Sequence, residues 1–147
     1  MEFPLHIPFA EDLGLVLVHM HEGQAEVAFE PAARQLNSFG VAHGGALMSL
    51  LDVAMCHAAR STNGPPFNAG PGVVTLELKT SFMRPGQGRL RCLAKVLHRT
   101  ATLAFCEAQV LNEAGALTAH ASGTFKFLRA IPAGRHIEPV RHRADEA

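Results

Sequence analysis

"NSFGVAHGGALMSLLD", residues 37–52, is the stretch on which the reading of this chain turns. It sets Asn37, three glycines and His43 within nine positions and then runs apolar to a lone carboxylate, Asp52. Continued as "AHGGALMSLLDVAMCHAAR", it is rich in Ala, Leu and Met with no proline, which predicts one long helix, stopped by "STNGPPFNAGPG". From Ala46 to Ala59 only Ser49, Asp52 and His57 are polar, so this helix needs covering on more than one side. A single sheet covers one side, and a partner chain is expected over part of the rest.

Upstream, "PFAEDLG" reads as a short helix or turn, and "LVLVHMHEGQAEVAFEP" as two strands hinged at Gly23 and ended by Pro31. Downstream, "GVVTLELKTSFM", "GRLRCLAKVLHR", "ATLAFCEAQVLN" and "GALTAHASGTFKFL" read as four strands, with breaks short enough for antiparallel hairpins. In the first of them strict alternation puts Val74, Leu76, Leu78, Thr80 and Phe82 on a buried face and Thr75, Glu77, Lys79 and Ser81 on a wet one. The expected architecture is α+β, one helix covered by one sheet, within a single domain over residues 1–130. The tail, 131–147, is expected to be poorly ordered or draped on the surface.

Asp is a poor helix-interior residue, and a buried carboxylate without a partner is costly. The neighbours of Asp52 on its helix faces, Met48, Ser49, Met55 and Cys56, offer no cation. A structural role at a wet edge or in a loop hydrogen bond is one reading. The other is a carboxylate whose pKa is raised for general-base or nucleophilic work. Gly44 and Gly45 fall in the first helical turn, where N–H groups lack intrahelical acceptors and the dipole is positive, so a carbonyl oxygen can be polarised there. A tight helix start alone would also explain the pair. At ~1.5 Å per residue, Asp52 lies about 12 Å from Gly44, and one carbonyl cannot touch both. If both act on it, they come from two copies of the helix, side by side and antiparallel about a two-fold axis.

The chain carries 13 Lys/Arg and 13 Asp/Glu, a balance that argues against nucleic acid as the main partner. The balance is uneven along the chain, since residues 1–59 hold seven acids and one base, Arg34. Lys79, Arg84, Arg89, Arg91, Lys95 and Arg99 then form a basic stretch, either a solvated sheet face or a landing surface for a phosphorylated ligand. Cys56, Cys92 and Cys106 are scattered, so no disulfide framework or zinc knuckle is suggested and a reducing cytoplasm is the expected home. The N-terminal stretch does not read as a signal peptide, and no run approaches a membrane span. His19 and His21 are the one close His pair and lack a third ligand nearby, so no metal is expected.

These residues resemble the hotdog-fold thioesterases of the phenylacetyl-CoA-thioesterase-like (PaaI-like) branch. The signature N-x-x-G-x-x-H-G-G followed by Asp is matched by Asn37, Gly40, His43, Gly44, Gly45 and Asp52, and "GVVTLELKTSFMRPG" resembles the strand that follows. The resemblance spans roughly residues 10–128. It implies a long helix wrapped by a curved antiparallel sheet of five to six strands, a homodimer forming the active site, and pairing into a homotetramer. It implies an acyl-CoA substrate, aryl or medium-chain, cleaved to free acid and CoA without a cofactor. By the same resemblance the Gly44 N–H would polarise the thioester carbonyl, with Asn37 and His43 assisting. Asp52 of the partner chain would activate water or attack directly, and Thr75 would orient that water. Gly45, Arg84, Lys126 and Arg129 are candidates for substrate binding. A non-catalytic acyl-CoA-binding module and a 2-enoyl-CoA hydratase are the alternatives.

Overall fold

The structure, a computed structural model, describes residues 1–128. A short helix α1 (Pro8–Leu13) leads into a hairpin, β1 (Val16–His21) and β2 (Gln24–Phe29). A 3-10 turn (Ala33–Gln35) precedes the long helix α2 (Gly44–Ser61), and β3 (Gly72–Phe82), β4 (Leu90–Arg99), β5 (Leu103–Leu111) and β6 (Leu117–Leu128) follow. All six strands form one antiparallel sheet in the order β1-β2-β4-β5-β6-β3. The expected α+β architecture is the observed one.

Six strands at ~4.8 Å spacing are about twice as wide as a helix, yet α2 touches every one of them, so the sheet curves around it. The core follows from strand alternation. Leu90, Cys92 and Ala94 of β4, Ala104, Cys106, Ala108 and Val110 of β5, and Ala119, Ala121, Phe125 and Phe127 of β6 point at Leu47, Leu50, Leu51, Ala54, Met55 and Ala58 of α2. At Gly123 of β6 an added Cβ would lie 2.8 Å from Phe125, 3.0 Å from Leu78 and 3.2 Å from Met55, so the helix comes this close only over a residue without a side chain.

Two expectations need correcting. The alternation read across β3 is broken by a bulge: Thr75 pairs with Phe125 and Glu77 with Thr124, which leaves Leu76 unpaired. Parity flips there, so Val73 and Thr75 before the bulge and Leu78, Thr80 and Phe82 after it share the helix-facing side, while Val74 and Leu76 are exposed. Nor is β3 half buried, for it is a sheet edge with Leu76 56% and Phe82 50% accessible. At the helix start, Ala42 and His43 stand outside α2, with His43 as its N-cap.

No described helix is long and apolar enough to cross a membrane. Arg129 and the expected tail, 131–147, lie outside the described residues.

Candidate active site

The loop before α2 is closed by its own side chain. Asn37 Oδ1 accepts from the N–H groups of Phe39 (2.9 Å) and Val41 (3.3 Å), and the Asn37 N–H donates to the Val41 carbonyl (2.8 Å). This Asx-type closure needs a short polar side chain, and Gly40 at φ 74° turns the chain back where other residues would be strained. The Asn37 oxygen is therefore spent on shaping the loop, which leaves its amide N–H₂ as the group able to face a ligand. The His43 N–H donates to Gln35 O (2.8 Å) and that of Ala42 to Gly86 O (2.9 Å), which fixes where α2 begins.

The first turn of α2 is nearly satisfied from within. His43 Nδ1 accepts from the Gly45 N–H (2.9 Å), and the His43 carbonyl accepts from Ala46 (2.9 Å) and Leu47 (3.2 Å). With Nδ1 as acceptor, the neutral ring carries its proton on Nε2. Among the described residues the Gly44 N–H has no acceptor, so the glycine pair contributes one open donor, and Gly45 serves the cap. The Phe82 ring lies over Gly44, 3.4 Å from where a Cβ would stand.

Two helical turns on, Asp52 occupies an open stripe of α2. Gly44, Gly45, Met48, Ser49, Asp52 and Cys56 are its accessible or half-accessible positions, while the remainder of the helix is buried. The Thr75 hydroxyl of β3 donates to Asp52 Oδ1 at 2.6 Å. Burial raises the Asp52 pKa above the ordinary carboxylate value of 3.8, and the Thr75 hydrogen bond opposes this by favouring the ionised form. Among the described residues no cation pairs with Asp52, which leaves Oδ2 able to accept a proton. Cys56, one turn further, is no rival nucleophile, because burial and the nearby Asp52 charge push its thiol up to about 12.

The expected site residues fall into three groups. Asp52 and Thr75 are in contact, and Asn37, His43, Gly44 and Gly45 build the helix start, about 12 Å away along the same helix. The expected phosphate contacts are dispersed. Arg84 Nη1 donates to the Leu117 carbonyl (2.6 Å), Lys126 lies on β6, and within the basic stretch Arg91 pairs with Glu26 (2.7 Å) and Lys95 with Glu107 (3.2 Å). Phe82 was not singled out as a site residue by sequence, because its place over Gly44 depends on the bulge, and no glycine or proline marks that bulge. A cavity of about 390 Å³ opens on the opposite face of the sheet between His19, Gln24, Lys95, Glu107 and His120, and no expected site residue lines it. Among the described residues no group of three or more His, Cys, Asp or Glu side chains could hold a metal.

Comparison with known proteins agrees with this architecture. The family model described as "Thioesterase superfamily" matches residues 39–119. Acyl-coenzyme A thioesterase PaaI of Escherichia coli strain K12 is 30% identical over 106 residues, 71% of each chain. Medium/long-chain acyl-CoA thioesterase YigI of Salmonella typhimurium is 26% identical over 135 residues, 84% of this chain and 87% of its own. Among solved structures, the conserved protein PA5202 of Pseudomonas aeruginosa is 39% identical with a TM-score of 0.78, covering 85% of this chain and 97% of that one. The E. coli PaaI structure is 28% identical with a TM-score of 0.74, covering 82% and 83%. One long helix inside a curved antiparallel sheet, carrying the Asn-to-Asp stretch that opens it, is a hotdog fold, and the chain belongs to the thioesterase superfamily.

Proposed function

We propose that the protein hydrolyses an aryl- or medium-chain acyl-CoA to the free acid and CoA, at a site shared between two copies of the chain. The observation that carries this reading is the pairing of Asp52 with Thr75 on the open stripe of α2, about 12 Å from the one unanswered N–H of the same helix. That separation is too long for one thioester and suits two antiparallel copies. Each copy then lends its Gly44 N–H to one site and its Asp52 to the other. The apolar edge of β3, with Val74 and Leu76 exposed, and the open stripe with Met48 support a second copy in that position.

The thioester carbonyl oxygen accepts from the Gly44 N–H and faces the positive end of the helix dipole. A water donates one hydrogen to the Asp52 carboxylate and the other to Thr75 Oγ1, whose own proton is already given to Asp52. Attack of the water oxygen on the carbonyl carbon transfers its proton to Asp52 and puts the charge on the carbonyl oxygen at Gly44. Collapse expels the CoA thiolate, a leaving group good enough to need no separate acid. Relatives named as acyl-CoA thioesterases support the choice of leaving group.

Incubation with a panel of acyl-CoAs and a thiol-reactive dye tests the reading directly. Release of free CoA with turnover is the expected result. Tight binding without release would leave a sensing module instead.

A further inference from the structure

Arg60, in the last turn of α2, is a buried cation without a counter-ion. It is 6% accessible, no carboxylate among the described residues forms an ion pair with it, and its one recorded acceptor is the Phe67 carbonyl at 3.4 Å, a long contact. A guanidinium has five N–H donors, and a buried charge left unpaired is costly. The helix end does not supply the missing acceptors, since the Ala59, Arg60 and Ser61 carbonyls already accept from Thr62, Asn63 and Gly64. Its neighbours on the helix are neutral. His57 is held uncharged by burial, down to about 4, and the Cys56 thiol is held protonated. A second donor lies one turn on, where Asn63 Nδ2 is buried with no partner among the described residues.

The position of Arg60 links it to the proposed site. Asp52 contacts Thr75, and one turn later Cys56 Sγ contacts the Val73 carbonyl at 3.9 Å, so α2 and the edge strand β3 meet along an antiparallel seam. Arg60 follows one turn further along α2, about 12 Å beyond Asp52, where it contacts Phe67 of the loop that leads into β3. We propose that Arg60, with Asn63, forms an oxyanion subsite at the far end of the α2–β3 seam, binding a carboxylate or phosphate oxygen group of the thioester substrate. Either end of such a substrate carries that chemistry: a second carboxylate on the acyl chain, or the phosphates of CoA. The inference rests on the thioesterase reading above.

Three substrates separate the sources: octanoyl-CoA, the mono-CoA thioester of octanedioic acid, and S-octanoyl-pantetheine, which lacks the CoA phosphates. Turnover of octanoyl-CoA by the unaltered protein tests the thioesterase reading by itself. For the subsite, KM is compared between the unaltered protein and Arg60→Gln. Loss of a charge-assisted contact is expected to raise KM about tenfold for the substrate bearing the bound group and to leave kcat within about twofold. The substrate lacking that group shows no such change. If octanedioyl-CoA alone is affected, the acyl carboxylate is the ligand. If both CoA thioesters are affected and the pantetheine thioester is not, the phosphates are. Equal loss on all three substrates would make Arg60 a strap for the 62–71 loop and overturn the proposal. Should Arg60→Gln fold poorly, the unaltered protein still decides: equal KM for octanoyl-CoA, octanedioyl-CoA and S-octanoyl-pantetheine would overturn it too.

Discussion

Asp52 combines two properties that pull against each other. Burial raises its pKa, so in the folded chain the carboxylate is harder to ionise than in the unfolded one, and stability declines as pH rises from 3.8 through the raised value. Asp52→Asn should therefore raise Tm at pH 7 relative to the unaltered protein, with the gain vanishing near pH 3. The same change should lower kcat at least about a hundredfold, as loss of a general base does. Thr75→Val removes the hydrogen bond that favours ionised Asp52, so the acid limb of kcat/KM should move to higher pH, while Thr75→Ser should leave it in place. A pH profile of the three proteins checks the order. His57 acts on stability in the opposite sense. Its pKa falls from 6.5 to about 4, because burial disfavours the charged ring, so its contribution is complete above pH 6.5 and is lost as pH falls through 4. Its Nδ1 hydrogen-bonds the Val53 carbonyl (2.7 Å) and its ring meets Phe3 (4.9 Å), so a neutral ring is what fits. Urea midpoints for His57→Gln should accordingly vary less between pH 7 and pH 4 than those of the unaltered protein.

Among the elements, β3 touches both candidate groups of the chain, Asp52 through Thr75 and Gly44 through Phe82. Thr75 and Phe82 stand seven positions apart, an odd step that puts both on one face only because Leu76 is an extra residue in the ladder. An alternating sequence carries no trace of a bulge, and strict alternation therefore put Thr75 on the wrong side while the composition still identified the strand. The helix was legible for the opposite reason, since eighteen residues of Gly44–Ser61 contain no breaker past the first turn. Where β6 passes under α2, Gly123→Ala should cost about 1–3 kcal/mol by urea unfolding, because the methyl meets Phe125, Leu78 and Met55 at once.

For the whole molecule, the proposed shared site makes a prediction that a self-contained site does not. Gly44→Pro deletes the single open N–H at the first helical position, where proline is tolerated, and His43 before it already has an extended conformation (φ −60°, ψ 138°). Gly44→Pro and Asp52→Asn should each be inactive alone. Refolded together in equal amounts, they should recover about a quarter of the unaltered activity, since half the dimers would hold one complete site of two. Recovery of none would place both groups in one chain. The separation of Gly44 from Asp52 was legible in residues 37–52, because both stand on one helix and helix rise alone sets the distance. The dispersal of the basic residues was not, because Arg91 and Lys95 meet Glu26 and Glu107 only once strands distant in sequence are paired.

The first turn of α2 holds a last consequence. Of its four leading amides, three are answered at home by the His43 ring and carbonyl, and one has no acceptor among the described residues. A glycine-rich turn that cradles phosphate works by presenting several amides at once to several oxygens. Here the histidine rations the turn to a single donor, which suits one carbonyl oxygen and is a poor bargain for an anion with three. Selectivity against phosphate would then arise by subtraction, and inorganic phosphate should compete only weakly at this turn however glycine-rich it looks.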